Sequence, residues 1–116
     1  MTSPLRDELR ARLTRARLDR DRAGASALRS AISALENAEA VEPGADLAVA
    51  SEHVAGAAAG IGAAEAERRK LDDAEERAIL ARERTELLDA ATAYDDAGRP
   101  DDAADLRRAA DLLLLT

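Results

Sequence analysis

Residues 26–40 read SALRSAISALENAEA, and the spacing of their apolar positions decides the fold. Leu28, Ala31, Ile32, Leu35 and Ala38 recur at intervals of three or four, which puts them on one stripe of a helix that turns about 100° per residue. The same period extends outward in both directions. Upstream, Leu5, Leu9, Leu13 and Ala16 form a second stripe behind Ser3-Pro4, a capping residue followed by a proline at the first helical position, where its missing N–H removes no bond. Arg6, Arg10 and Arg17 fall within about 40° of one another beside that stripe, so the first helix is amphipathic with a basic flank. The periodicity breaks around Asp19 to Gly24. A turn this short predicts an antiparallel hairpin of helices one and two.

Downstream, Glu42-Pro43-Gly44 is expected to end the hairpin, and residues 42–66 read as an Ala/Gly-rich linker. Ala45 to Val54 has the composition of a short helix, but Gly56, Gly60 and Gly62 would each cost a helix interior about 1 kcal/mol. Asp72 with Glu75 is an acidic capping box that starts a long third helix. Its seam is Leu80, Leu87, Ala91 and Tyr94, widened by Ile79 and Leu88, and Ala97-Gly98 supplies the stop. Arg99-Pro100-Asp101-Asp102 restarts a fourth helix with the seam Ala103, Leu106, Ala110 and Leu113. The predicted fold is all-α, two helical hairpins in a small four-helix arrangement with the long third helix as its spine.

Composition agrees with that expectation. The 116 residues suit one domain, and alanine and leucine supply most of the apolar content, with Tyr94 the single aromatic. Few β-branched residues and no sustained alternation leave no basis for a sheet. The absence of cysteine excludes disulfides and thiolate chemistry. No secretory signal is evident, and the apolar runs are shorter than the roughly 18 residues that a bilayer span needs, so the protein is expected in the cytoplasm and not in a membrane. Net charge is −7. Residues 1–35 nevertheless hold eight arginines against four acids, a local balance of +4 that leaves −11 for the remainder, so an acidic chain can still carry one basic surface.

No catalytic, metal or cofactor site is expected. The carboxylate pairs, such as Asp72/Asp73 and Asp101/Asp102, fall at helix starts or on polar faces, and His53, the lone histidine, lies in the glycine-rich stretch. There is no phosphate-cradling glycine loop. Arg6, Arg10, Arg17 and Arg29 are the candidate RNA contacts, because a hairpin of the first two helices brings Arg29 toward the basic flank. Pairing of these arginines with acids of the third helix, such as Glu83 and Glu86, is the competing arrangement. Leu112, Leu113, Leu114 and Leu115 cover every face of one turn; leucines left uncovered would form a contact surface for a protein partner or a second copy.

Three strings, SALRSAISALENAEA (26–40), LDDAEERAIL (71–80) and AYDDAGRPDDAADLRRAADLLL (93–114), resemble in order and spacing the successive helices of the GatB/YqeY family. The ENAEA around Asn37 and the AGRPDDA helix break after Tyr94 are similar to that family's most recognisable points. The resemblance implies kinship with the C-terminal region of the B subunit of the glutamine-dependent amidotransferase acting on mischarged Glu-tRNA or Asp-tRNA. That implies a non-catalytic, tRNA-associated or amidotransferase-accessory module, whose carbon–nitrogen ligase label belongs to the larger enzyme. Members usually continue into a second small helical domain, which residues 1–116 are expected to lack. The alternative function is a helical interaction or homo-oligomerisation module that binds no RNA.

Overall fold

The structure, a computed structural model, describes residues 3–50 and 70–115, residues 41–50 by their backbone alone. Among the described residues there are four helices and no strand: α1 (Pro4–Leu18), α2 (Arg22–Ala50), α3 (Asp73–Asp96) and α4 (Pro100–Asp111). α1 packs on α2, α3 packs on α4, and α2 lies against both α3 and α4. The described residues are therefore all-helical, as their periodicity predicts.

The helix starts follow from local chemistry. Ser3 Oγ accepts from the Arg6 N–H at 3.1 Å, with Pro4 at the first helical position. Asp72 and Glu75 form a reciprocal capping box, the Glu75 N–H donating to Asp72 Oδ1 at 2.8 Å and the Asp72 N–H to Glu75 Oε1 at 3.0 Å. Asp21 begins α2 in the same manner, its Oδ1 accepting from the Gly24 N–H at 3.0 Å.

One helix ends differently from expectation. α2 does not stop at Glu42-Pro43-Gly44 but continues to Ala50, which makes it, at 29 residues, longer than the 24 residues of α3. Proline within a formed helix removes one hydrogen bond and crowds the preceding turn, and α2 arrives there already anchored by an ion pair at Glu39. Residues 42–50 of the expected linker are thus helical, while 51–66, with His53 and the three closely spaced glycines, lie outside the described residues.

α1 and α3 end in the same six-residue device, a Schellman turn. After α3, the Gly98 N–H donates to the Asp95 carbonyl and the Arg99 N–H to the Tyr94 carbonyl, with Gly98 at φ +75°. After α1, the Arg20 N–H donates to the Arg17 carbonyl and the Asp21 N–H to the Ala16 carbonyl, with Arg20 at φ +58°. A side chain in that left-handed region costs about 1 kcal/mol or more relative to glycine.

The core follows the predicted seams. Leu9, Leu28 and Leu35 are fully buried, with Ala31, Ala91, Ala103 and Ala110, while Leu5, Ala16, Ile79, Leu80 and Leu113 are nearly so. Leu13, Ile32, Ala38 and Leu87 pack at its edge. Close approach is literal at Gly24, where a Cβ would collide with the Asp21 carboxylate and Leu112 Cδ1. Tyr94, half-buried, carries the Arg99 guanidinium over its ring at 4.9 Å.

Two charges also sit inside. Arg6 and Glu76 are only 7% and 3% exposed. Arg6 Nε donates to Glu76 Oε2 and its Nη1 to Glu39 Oε1, both at 3.0 Å, while the Ser3 hydroxyl donates to Glu76 Oε2 at 2.9 Å. The hydrogen bond to Glu39 is the main cause that holds the Arg6 guanidinium above its ordinary pKa, against the opposing effect of burial. Removing one member of such a group leaves a buried charge uncompensated. Arg6→Ala should lower unfolding stability by about 3 kcal/mol, and adding Glu76→Leu should recover part of that loss; urea melts of the single and double variants would check it, and equal loss in both would contradict it.

Candidate functional site

The four arginines singled out by sequence separate into two groups. Arg6 is spent in the interior network, and half-buried Arg10 reaches toward Glu36 of α2 at 3.9 Å. Neither pairs with Glu83 or Glu86; Glu83 instead accepts from the Ser30 hydroxyl at 2.8 Å. Arg6 is thereby removed from any solvent-facing surface, because its position on α1 turns the head group between α2 and α3.

Arg17 and Arg29 do come together. They line an open groove of about 720 Å³ at the turn between α1 and α2, and the same groove receives Arg20 and Arg22, which sequence reading passed over. Arg22, Ser26 and Arg29 stand at i, i+4 and i+7 on one row of α2, Arg17 comes from the last turn of α1, and Arg20 projects from the turn itself. Ala16, Ala23 and Ala25 form the floor. All four arginines are exposed, and among the described residues none forms an ion pair or a side-chain hydrogen bond. A signal for Arg20 and Arg22 was present in the cluster Arg17, Arg20, Arg22, but their convergence with Arg29 depends on the turn geometry.

Asp21 is the one acid lining the groove, and it is already engaged. Arg108 of α4 donates to Asp21 Oδ1 at 2.8 Å, and the Gly24 N–H donates to the same oxygen. The Arg108 hydrogen bond first, then the Gly24 amide, hold the Asp21 carboxyl below the ordinary carboxylate range, and Asp21 in turn raises Arg108. The groove therefore presents four unpaired guanidinium groups whose only local countercharge is directed toward α4. Planar guanidinium donors match phosphate oxygens two at a time.

The comparisons add no family to this geometry. The chain matches no known protein family, no curated protein and no solved structure. Among the described residues there is no cluster of His, Cys, Asp or Glu arranged to hold a metal ion, and no helix long and apolar enough to cross a membrane.

The four C-terminal leucines are divided. Leu113 is buried at 3% exposure, Leu112 and Leu115 are half-buried against the core, and Leu114 is 51% exposed. Arg12 Nη1 of α1 donates to the carbonyls of Leu112 and Leu114 at 3.0 and 3.1 Å, and Arg77 Nη1 of α3 to that of Leu115 at 2.8 Å. Leu113 to Leu115 border a shallow groove with Arg77, Leu80 and Arg84, and Arg84 Nε is buried without a hydrogen-bond partner. Leu114 is the leucine of this run that solvent reaches most.

The Asp21–Arg108 pair carries a pH dependence of defined sign. Because folding holds the Asp21 carboxyl below its ordinary value, its contribution is present at neutral pH and disappears as pH falls through that lowered value. Arg108 is largely exposed, so solvent screening limits the pair to about 1 kcal/mol or less. Asp21→Asn should melt slightly below wild type at pH 7, and the two should converge as pH falls through the lowered Asp21 value; a difference that persists unchanged at acid pH would contradict the assignment.

Proposed function

We propose that this protein is a non-catalytic, RNA-associated helical module that grips backbone phosphates, those of tRNA in the first instance, through the arginine groove at the α1–α2 turn. The observation that carries the reading is the convergence of Arg17, Arg20, Arg22 and Arg29 on one groove with no carboxylate partner, on a chain that is otherwise strongly acidic. Phosphate contact fits such a surface better than base reading, since the groove has no aromatic side chain on which a base would stack. The resemblance of residues 26–40, 71–80 and 93–114 to the GatB/YqeY helices supports tRNA as the RNA, in a role accessory to glutamine-dependent amidotransfer, and the paired helices α1–α2 and α3–α4 are read as its two hairpins. Of the arginines first singled out, Arg17 and Arg29 carry the reading; Arg10 is peripheral, and Arg6 acts through stability.

A second reading, self-association through the C-terminal leucines, is favoured by one specific feature, exposed Leu114 bordering an open groove with Leu113, Leu115 and Leu80. A second copy would cover the exposed leucine.

The two readings make different predictions. Binding of tRNA should weaken with salt with a log–log slope of about −4 if all four arginines neutralise phosphates, and Arg17→Glu with Arg29→Glu should flatten that slope by about 2 and weaken binding at least about tenfold at low salt. Salt-independent binding, no binding, or an unaffected double variant would refute the phosphate reading. Sedimentation of the wild type and Leu114→Ser tests the other: a dimer that becomes a monomer supports self-association, and an unchanged monomer removes it.

A further inference from the structure

Arg20 occupies a backbone position that disfavours it, and the chain contains its own comparison. The turns after α1 and α3 are the same Schellman device, with matching pairs of hydrogen bonds. At the left-handed position the α3 turn has Gly98, φ +75°, and the α1 turn has Arg20, φ +58°. Around Gly98 nothing lies within 4 Å of where a Cβ would be, so glycine there answers backbone conformation and not crowding. The α1 turn makes the same conformational demand and meets it with the less suited residue.

Nothing among the described residues compensates Arg20 for that conformation. It is exposed and forms no ion pair or side-chain hydrogen bond among the described residues. The turn around it is held from elsewhere. Asp21, the next residue, caps α2 through the Gly24 N–H and is tied across to α4 by Arg108, while its own N–H is bonded to the Ala16 carbonyl at 2.8 Å. Residues kept in sparsely populated backbone regions persist when their surroundings over-determine them, and they concentrate at ligand clamps. Arg20 sits between Arg17 and Arg22 at the rim of the groove.

We infer that Arg20 is a phosphate-contacting residue of the groove, retained in a strained backbone conformation because its charge is needed where the fold would prefer glycine, and that Asp21 and Arg108 are the positioning residues that hold the turn in this shape. The inference rests on the phosphate-binding reading above. It commits the ligand to an anion bound at the turn, a backbone phosphate of RNA, and it requires stability and binding to move in opposite directions at one position.

The test uses the full chain with tRNA at low salt, and three variants. Arg20→Gly removes charge and strain together and should raise the melting temperature by about 4 °C while weakening tRNA binding about fivefold. Arg20→Ala should lose the same affinity without the thermal gain, since it keeps a Cβ in the left-handed region. Arg20→Lys should keep binding within about twofold of wild type. If wild type binds tRNA and Arg20→Gly binds equally well, Arg20 makes no contact and the inference falls while the groove reading stands. If wild type does not bind tRNA at all, both fall. A lower melting temperature in Arg20→Gly would show that the arginine serves the fold, and would overturn the argument from strain.

Discussion

Arg6 is the constraint on which the packing of this protein depends. A core of leucine and alanine with a single half-buried aromatic has little shape to specify how helices register against one another. The buried guanidinium supplies direction. It binds Glu39 of α2 and Glu76 of α3 from its place on α1, so that three helices meet at one point with fixed geometry, and the Ser3 hydroxyl satisfies a further position on Glu76 while Ser3 also caps α1. Such a group adds little net stability over an apolar replacement of the same shape, yet it is costly to disrupt, because any member left alone is a buried charge. Truncating a fully buried leucine costs about 2–5 kcal/mol, so an error at Arg6 is as serious as the loss of one of them.

That commitment shapes the surface. With Arg6 turned inward and Arg10 leaning toward Glu36, the basic flank of α1 turns from the interior at its N-terminal end to the open groove at its C-terminal end. There, among the described residues, Arg17, Arg20, Arg22 and Arg29 are left without carboxylate partners. The acid that lies among them, Asp21, is engaged by Arg108, a partner 87 residues away. The free cationic groove is therefore a product of where the acids are used, and it exists on a chain of net charge −7 without requiring a basic protein. Arg12 and Arg77 are likewise occupied, holding the carbonyls of the leucine-rich terminus.

The helical seams were legible because helix geometry converts a spacing of three and four into a face, and burial of that face follows. Leu5, Leu9, Leu28, Ala31, Leu35, Leu80, Ala91, Ala103, Ala110 and Leu113 were all readable in this way. So were the caps at Ser3 and Asp72 and the stop at Gly98, each a local hydrogen-bonding problem with a local solution. Pro43 misled, since proline weakens a helix by a local cost that anchoring elsewhere can offset, and α2 runs past it. Of the candidate contacts, Arg17 and Arg29 are brought to one groove and Arg6 is not, although all three share a residue type and the first and third share a helix flank.

What the amino-acid order alone determined is what depends on neighbours within a turn or two: the all-helical character, the positions of the caps, the apolar stripes, and the local excess of arginine in the first 35 residues. What only the tertiary structure decided is which charges are free. Whether an arginine is an anchor or an open contact depends on the carboxylates that other helices bring to it, from 33 residues away for Arg6 and Glu39 and 70 for Arg6 and Glu76, and on a turn whose left-handed residue is an arginine. Electrostatic pairing acts through space over a few ångströms, so no periodicity along the chain encodes it.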